Sequence, residues 1–262
     1  MGLTSQSCGT GANRETFKRG QSTSYDFVIA LAGNPNTGKS TVFNALTGLN
    51  QHTGNWPGKT VLRAEGKYYH RGLTYKLIDL PGTYSLLANS VEEQVARDFL
   101  CFGSPDTTVV VMDATCLERN LNLALQVLEI SSRVVVCVNL IDEAKRKKII
   151  VNVEELSNIL GVPVVATAAR DGKGMDLLVD TIAEVAAGKI KTKPYIVRYN
   201  DMIEAAVAKI EPQIKQRVGR EYNSRWLALR LLDKDQTVLS ALRELFPRPE
   251  SPKAKLGGEV LA

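Results

Sequence analysis

The chain has 262 residues, 44% of them apolar, a net charge of +5 and a pI near 9.0, which allows a sizeable core with an appendage and argues against a disordered or fibrous chain. Four cysteines, Cys8, Cys101, Cys116 and Cys137, form no C-x-x-C pair and have only His52 and His70 as possible co-ligands. That argues against disulfides and zinc and for the reducing cytoplasm.

No run approaches eighteen apolar residues and the N-terminus has no signal-peptide core, so this piece is not expected to cross a membrane. The small basic excess suits a nucleotide, a nucleic acid or an anionic surface and chooses none of them.

In chain order, residues 1–25 are Gly-, Ser- and Thr-rich and read as a tail. Phe27 to Ala32 predicts a buried strand, followed by the glycine loop Gly33-Asn34-Pro35-Asn36-Thr37-Gly38-Lys39-Ser40 and a helix over Thr41 to Leu46 ending at Gly48. This G-x-x-x-x-G-K-S spacing lets successive backbone N–H groups turn inward on phosphate oxygens at a helix N-terminus. Lys39 then reaches the outer phosphates and Ser40 a Mg²⁺ ion. Gln51 to Thr60 is punctuated by Gly and Pro and predicts an exposed loop, in which Trp56 either caps the core or belongs to a segment that moves. A hairpin follows, Val61 to Tyr69 and Leu73 to Ile78 about Arg71-Gly72.

The second hairpin strand delivers Asp79-Leu80-Pro81-Gly82, a carboxylate at a strand's end beside the phosphate loop, where Mg²⁺ chemistry needs one. Ser90-Val91-Glu92-Glu93 has capping-box spacing and opens a helix through Phe99. Then come a strand over Thr108 to Asp113, a helix over Leu117 to Ile130, and a strand over Arg133 to Val138 that ends at Asn139-Leu140-Ile141-Asp142. Glu143 to Lys148 reads as a solvated helical turn. Val153 to Leu160 reads as a helix stopped by Gly161, Val162 to Ala166 as the last strand, and Met175 to Ala187 as a helix. Alternating strands and helices predict an α/β fold with a parallel, doubly wound sheet and its ligand at the strands' carboxyl ends. From Pro194 the strand pattern stops, and Tyr199 to Ile214, Arg225 to Leu232 and Gln236 to Phe246 read as helices. The expected domains are a nucleotide domain over 26–190 and a helical subdomain over 195–246, with tails at 1–25 and 247–262.

Taken together, the ordered motifs resemble the GTPase superfamily. More narrowly, Gly33-Asn34-Pro35-Asn36, Gly54-Asn55-Trp56-Pro57-Gly58, Asp79-Leu80-Pro81-Gly82-Thr83-Tyr84-Ser85-Leu86, Glu92 to Asp98 and Leu117-Glu118-Arg119-Asn120-Leu121 resemble the cytosolic N-terminal GTPase domain of the prokaryotic ferrous iron transporter B (FeoB) family. The likeness implies a Ras-like, mostly parallel sheet with helices on both faces and a regulatory helical subdomain. It implies a nucleotide site of Gly33 to Thr41, Gly58, Lys59, Thr60, Asp79 to Gly82, Asn139, Asp142, Ala168 and Ala169. In that site Asp142 reads guanine, Asn139 ties its loop to the phosphate loop, and backbone N–H groups near Ala168 and Ala169 meet the guanine oxygen. Mg²⁺ is implied on Ser40, Thr60 and, through water, Asp79, with Thr60 joining only when the γ-phosphate is present.

Departures from the wider superfamily carry expectations of their own. Leu140 and Ala168 replace the usual Lys and Ser and predict weak, fast-exchanging nucleotide, while Thr37 for Ser is a backbone-level change. Thr83 and Tyr84 occupy the place of the water-orienting glutamine. The resemblance offers another route, K⁺ held by Asn36 with the backbone carbonyls of Trp56 and Gly58, which makes Asn36, Lys39 and Thr60 the catalytic candidates and predicts slow, K⁺-stimulated hydrolysis. An Asx turn is the structural alternative for Asn36.

The implied partners are guanine nucleotide, a membrane-spanning iron-permeation domain outside this chain, and a second copy of the chain, at the cytoplasmic face of a prokaryotic inner membrane. The alternatives are a nucleotide-gated module with negligible turnover, and an RNA- or ribosome-associated GTPase, which the mixed charge of the helical region disfavours.

Overall fold

A computed structural model describes residues 25–49, 51–219 and 222–246. The two tails read from the sequence lie outside these residues apart from Tyr25, as does Cys8. Among the described residues a seven-stranded sheet runs in the order β2-β3-β4-β1-β5-β6-β7. Its strands are β1 (Phe27–Gly33), β2 (Gln51–Asn55), β3 (Leu62–His70), β4 (Leu73–Asp79), β5 (Thr107–Asp113), β6 (Val134–Asn139) and β7 (Val164–Ala166). Five of them, β4-β1-β5-β6-β7, are parallel, as repeated apolar runs joined by helices require.

The other two make the sheet mostly rather than wholly parallel, as the expected hairpin requires, and β2 corrects the expectation of a loop over residues 51–60. β3 pairs antiparallel with β4 through the hairpin, and β2 pairs antiparallel with β3, from Gln51↔Gly66 to Asn55↔Leu62. β2 is an edge strand whose described side chains, His52 to Asn55, are exposed on both faces, so its sequence carries no apolar alternation.

Alternation along β1 sends its side chains to two cores. Ile29 and Leu31 pack with Val42 and Phe43 of α1 (Lys39–Thr47) and with Leu178 and Ile182 of α6 (Met175–Ala186). Val28, Ala30 and Ala32 face the opposite core, with Phe99 of α2 (Val91–Phe102) and Leu123 and Val127 of α3 (Leu117–Ile130). Cys137 lies in the first of these cores, where burial pushes its thiol up to about 12, the behaviour of a small hydrophobe. Two shorter helices, α4 (Ile141–Arg146) and α5 (Val153–Leu160), flank β6 and β7. Gly161 stops α5 as expected, while β7 begins two residues later than the apolar run, at Val164.

The helical region comprises α7 (Asp201–Val218), α8 (Ser224–Leu232) and α9 (Gln236–Leu245), begun by side-chain caps from Asn200, Asn223 and Asp235. α7 runs one turn past the expected end and carries Pro212 inside it. Trp226, Leu227 and Ala228 of α8 continue the core beneath α3, and Asn223 Nδ2 donates to Glu129 O at 2.8 Å. α2 meets the same region through Arg97, which is fully buried. Its guanidinium donates to Asp98 Oδ1 at 2.6 Å, Thr237 Oγ1 at 2.8 Å and Asp235 Oδ2 at 3.3 Å.

Candidate nucleotide site

The loop from Gly33 to Ser40 leaves the carboxyl end of β1 at the centre of the sheet, between β4 and β5. Gly33 pairs with Val111, and a Cβ on it would lie 2.7 Å from the Val111 carbonyl oxygen, so the close packing of the two strands requires glycine. Thr37 is buried and its hydroxyl donates to Asn34 O at 3.0 Å, while Pro35 and Asn36 form the outward turn. Asn36 is exposed with φ 67°, a left-handed conformation that asparagine tolerates better than most residues. Gly38, at φ 78°, precedes Lys39 without a side-chain cap, so the first N–H groups of α1, around Ser40 and Thr41, have no intrahelical partner. Ser40 and Thr41 are exposed there. Such an end favours anions.

Lys39 bridges to the second element of the site. Its ammonium donates to the Asp79 carboxylate and, at 2.8 Å, to Leu80 O. Burial pushes the Asp79 carboxyl above its ordinary value while the Lys39 charge pulls it back. Leu80 is buried, with its N–H on Leu31 O at 2.9 Å. Gly82 lies against Pro35, and Thr83 N–H meets Gly33 O at 3.3 Å. The Asp79–Gly82 strand end is thus stitched to the phosphate loop. Asp79 and Ser40 present the oxygen donors that a hard divalent cation takes, and so fit Mg²⁺.

On the far side Asn139 is 1% exposed at the end of β6. Its amide donates to Thr37 O at 3.1 Å, and its carbonyl accepts from Thr167 Oγ1 and Ala169 N, each at 3.1 Å. One side chain therefore joins the phosphate loop to the Ala168–Ala169 loop. A Cβ on Gly38 would strike the Asn139 amide, which explains the glycine there. Leu140 takes φ 63° and leans over Gly38, and Asp142 stands in the first turn of α4, 3.4 Å from Arg146. Ala168 is buried, with its N–H on Lys173 O at 3.0 Å. The sequence reading missed Thr167, although a hydroxyl at the end of the last strand is its one visible signal.

The segment from Trp56 to Thr60 stands apart from these two. Trp56 is buried against Phe99, ring centroids 5.4 Å apart, with the Arg63 guanidinium 4.8 Å from its centroid, so of the two readings of this residue the core cap is the one seen. Trp56 N–H donates to Val61 O and Lys59 N–H to Trp56 O, both at 2.9 Å, and Lys59 Nζ reaches Gln94 Oε1 at 3.0 Å. Pro57, Gly58 and Thr60 are exposed. The Trp56 carbonyl, a candidate K⁺ ligand, keeps one lone pair beyond the Lys59 bond.

Ser85 to Asn89 is bracketed by residues the sequence reading did not single out as functional. Ser85 Oγ and Asn89 N–H donate to the Glu93 carboxylate, each at 2.9 Å, and Leu86 N–H to Gln126 Oε1 at 2.6 Å. The capping box is half-formed: Ser90 Oγ accepts from Glu93 N at 3.2 Å, but Glu93 returns its carboxylate to Asn89. Among the described residues no group of three or more His, Cys, Asp or Glu side chains converges on a metal position, and no helix is long and apolar enough to cross a membrane.

A mostly parallel sheet with a glycine phosphate loop, an Asp-x-x-Gly strand end and an Asn-x-x-Asp strand end defines the GTPase class of P-loop domains. A family profile described as ferrous iron transport protein B matches residues 27–182, and one described as FeoB cytosolic helical domain matches residues 199–256. The chain is 39% identical over 241 residues to the Fe(2+) transporter FeoB of Salmonella typhimurium, covering 89% of this chain and 30% of that protein. It is 41% identical over 220 residues to the FeoB of Methanocaldococcus jannaschii, covering 81% and 31%. A crystal structure of the cytosolic domain of the T. maritima FeoB iron transporter in apo form superposes with a TM-score of 0.75 at 38% identity, covering 88% of this chain and 90% of that one. The same domain in a GMPPNP form gives 0.74 at 36%, covering 88% and 91%.

The chain belongs to the FeoB family and corresponds to its cytosolic GTPase region and cytosolic helical region. It spans about a third or less of the length of the curated relatives it matches.

Proposed function

We propose that this chain binds GTP and hydrolyses it to GDP and phosphate, as the cytosolic switch of a ferrous iron transport protein whose permeation domain is membrane-spanning. The observation that carries this reading is Asn139, which couples the phosphate loop to the loops expected to read guanine through three hydrogen bonds. Residues 26–190 would form the nucleotide domain and 195–246 the helical one, at the cytoplasmic face of a prokaryotic inner membrane. The T. maritima relative was solved with GDP and with GMPPNP, which supports guanine nucleotide as the ligand.

In this reading the N–H groups of the phosphate loop and Lys39 hold the phosphates, the carboxylate of Asp142 accepts from guanine N1 and N2, and backbone N–H groups near Ala168 and Ala169 meet its oxygen; the N–H groups of these two residues themselves are already taken by Lys173 O and Asn139 Oδ1. Mg²⁺, held by Ser40, Thr60 and, through water, Asp79, would neutralise charge on the phosphate oxygens. Lys39 must release part of its bond to Asp79 as the phosphates enter. Thr60, exposed and tethered only through its neighbours, is the residue free to answer the γ-phosphate.

Thr83 and Tyr84, not a glutamine, stand directly after Gly82, so charge neutralisation by K⁺ at Asn36 replaces it in this reading. Asn36 is an exposed residue at a left-handed turn of the loop, and its amide oxygen is the atom proposed to meet the cation. GTP turnover should be several-fold faster in KCl than in NaCl at equal ionic strength, and Asn36→Ala should abolish the difference. Equal rates in the two salts would overturn the K⁺ reading, and absence of hydrolysis in both would favour a nucleotide-gated module without turnover.

A further inference from the structure

The tract where the missing glutamine would stand is held from α3. Thr83 is buried and touches the phosphate loop through one long backbone bond, N–H to Gly33 O at 3.3 Å. Ser85 N–H turns back on Thr83 Oγ1 at 3.0 Å, and Leu86 N–H is taken by Gln126. Between them Tyr84 is 43% exposed, an aromatic side chain with no place in either core. The Arg119 guanidinium carbon lies 4.5 Å from its ring centroid, within cation–π range.

Arg119 and Gln126 are seven residues apart on α3, two helical turns on one face, so one rigid helix grips the tract at two points about 10 Å apart. Gln126 fixes its far end near Leu86. Arg119 acts at the end next to the phosphate loop, where a water attacking the γ-phosphate must be aligned.

We propose that Arg119 is a positioning residue for GTP hydrolysis: by stacking on Tyr84 it fixes the Thr83–Tyr84 backbone beside the phosphate loop, in the place another GTPase gives to glutamine. This rests on the hydrolytic function above. In the step concerned, the water oxygen bonds to the γ-phosphorus, the bond from that phosphorus to the β–γ bridging oxygen breaks, and the water proton leaves with inorganic phosphate. Arg119 and Tyr84 bind none of these atoms. Their effect is on the fraction of complexes in which the tract is in place, so it falls on kcat and spares KM.

The test is steady-state GTP turnover by the whole chain with Mg²⁺, with GDP affinity and melting temperature measured alongside. Arg119→Ala should lower kcat about fivefold with KM and GDP affinity within about twofold, as loss of one exposed cation–π contact allows. Tyr84→Ala should do the same, and the double variant should fall no further than either single one. Tyr84→Phe, which keeps the ring, and Arg119→Lys, which keeps a cation, should each recover most of the rate. Unchanged kcat in Arg119→Ala, multiplied losses in the double variant, or a loss carried by KM would overturn the inference while leaving the GTPase reading intact. A wild-type chain without hydrolysis would overturn both.

Discussion

The two flanks of the phosphate loop are built in opposite ways. On the side proposed to read guanine, Asn139 is bonded to Thr167, Ala169 and Thr37, all of them buried, so that flank is an extension of the core. On the other side, Pro57, Gly58 and Thr60 are exposed. Their stretch is moored by the buried ring of Trp56 and by Lys59 on Gln94. In the proposed function this is a division of labour: geometry that stays the same with or without γ-phosphate would be wired into the sheet, and geometry that responds to it would hang from a few side chains.

Breaking the rigid flank should have the largest effect. Asn139→Ala removes three buried hydrogen bonds and strands Thr37 O and Ala169 N, so unfolding stability should fall by about 4 kcal/mol. Guanine nucleotide affinity should fall more than about 100-fold, read by urea denaturation and by titration with a fluorescent GDP. Stability within about 1 kcal/mol of the wild type would contradict a rigid flank.

Cutting the mooring of the other flank comes next. Trp56→Ala should cost about 3 kcal/mol, at the low end for a buried aromatic because exposed neighbours on both sides can collapse into the space. GDP affinity should stay within about threefold, since in this reading that flank contributes to the γ-phosphate rather than to the base. A loss of GDP binding as large as that of Asn139→Ala would erase the distinction between the flanks.

The smallest effect lies far from both. Hydrogen bonds from Arg225 and from Tyr199 N–H hold the Glu204 carboxyl at about 2, below its ordinary 4.5. A lowered carboxylate contributes stability above its unfolded value and loses it as pH falls through the folded one. The stability difference between wild type and Glu204→Gln should therefore be full above pH 4.5 and vanish toward pH 2. GTP turnover at neutral pH should be the same in both.

The sheet core and the phosphate loop were legible in the sequence because both are local: apolar runs such as Val134 to Val138 and the glycine spacing of Gly33 to Ser40 need no distant partner to be recognised. β2 was not legible, because it pairs through its backbone at an edge and its residues His52 to Asn55 are exposed, which leaves no apolar pattern to read. Trp56 was read only as one of two possibilities, since its burial depends on Phe99, 43 positions on. The bonds of Arg97 to Asp235 and Thr237 span 138 and 140 positions and carry no periodic signal. For the site, residue types and order were visible, but the reason Asn139 matters, its simultaneous hold on Thr37 and Ala169, exists only in three dimensions.

In the proposed function the Asn139–Asp142 flank makes this a guanine-reading site. The direct measurement is calorimetric titration of the chain, with Mg²⁺, by GDP, ADP and xanthosine diphosphate, for wild type and Asp142→Asn. The wild type should bind GDP at least about 100-fold more tightly than ADP, and Asp142→Asn should lose GDP and gain xanthosine diphosphate, whose base presents an oxygen where guanine has an amino group. Equal affinity of the wild type for GDP and ADP, or unchanged GDP binding by Asp142→Asn, would contradict it.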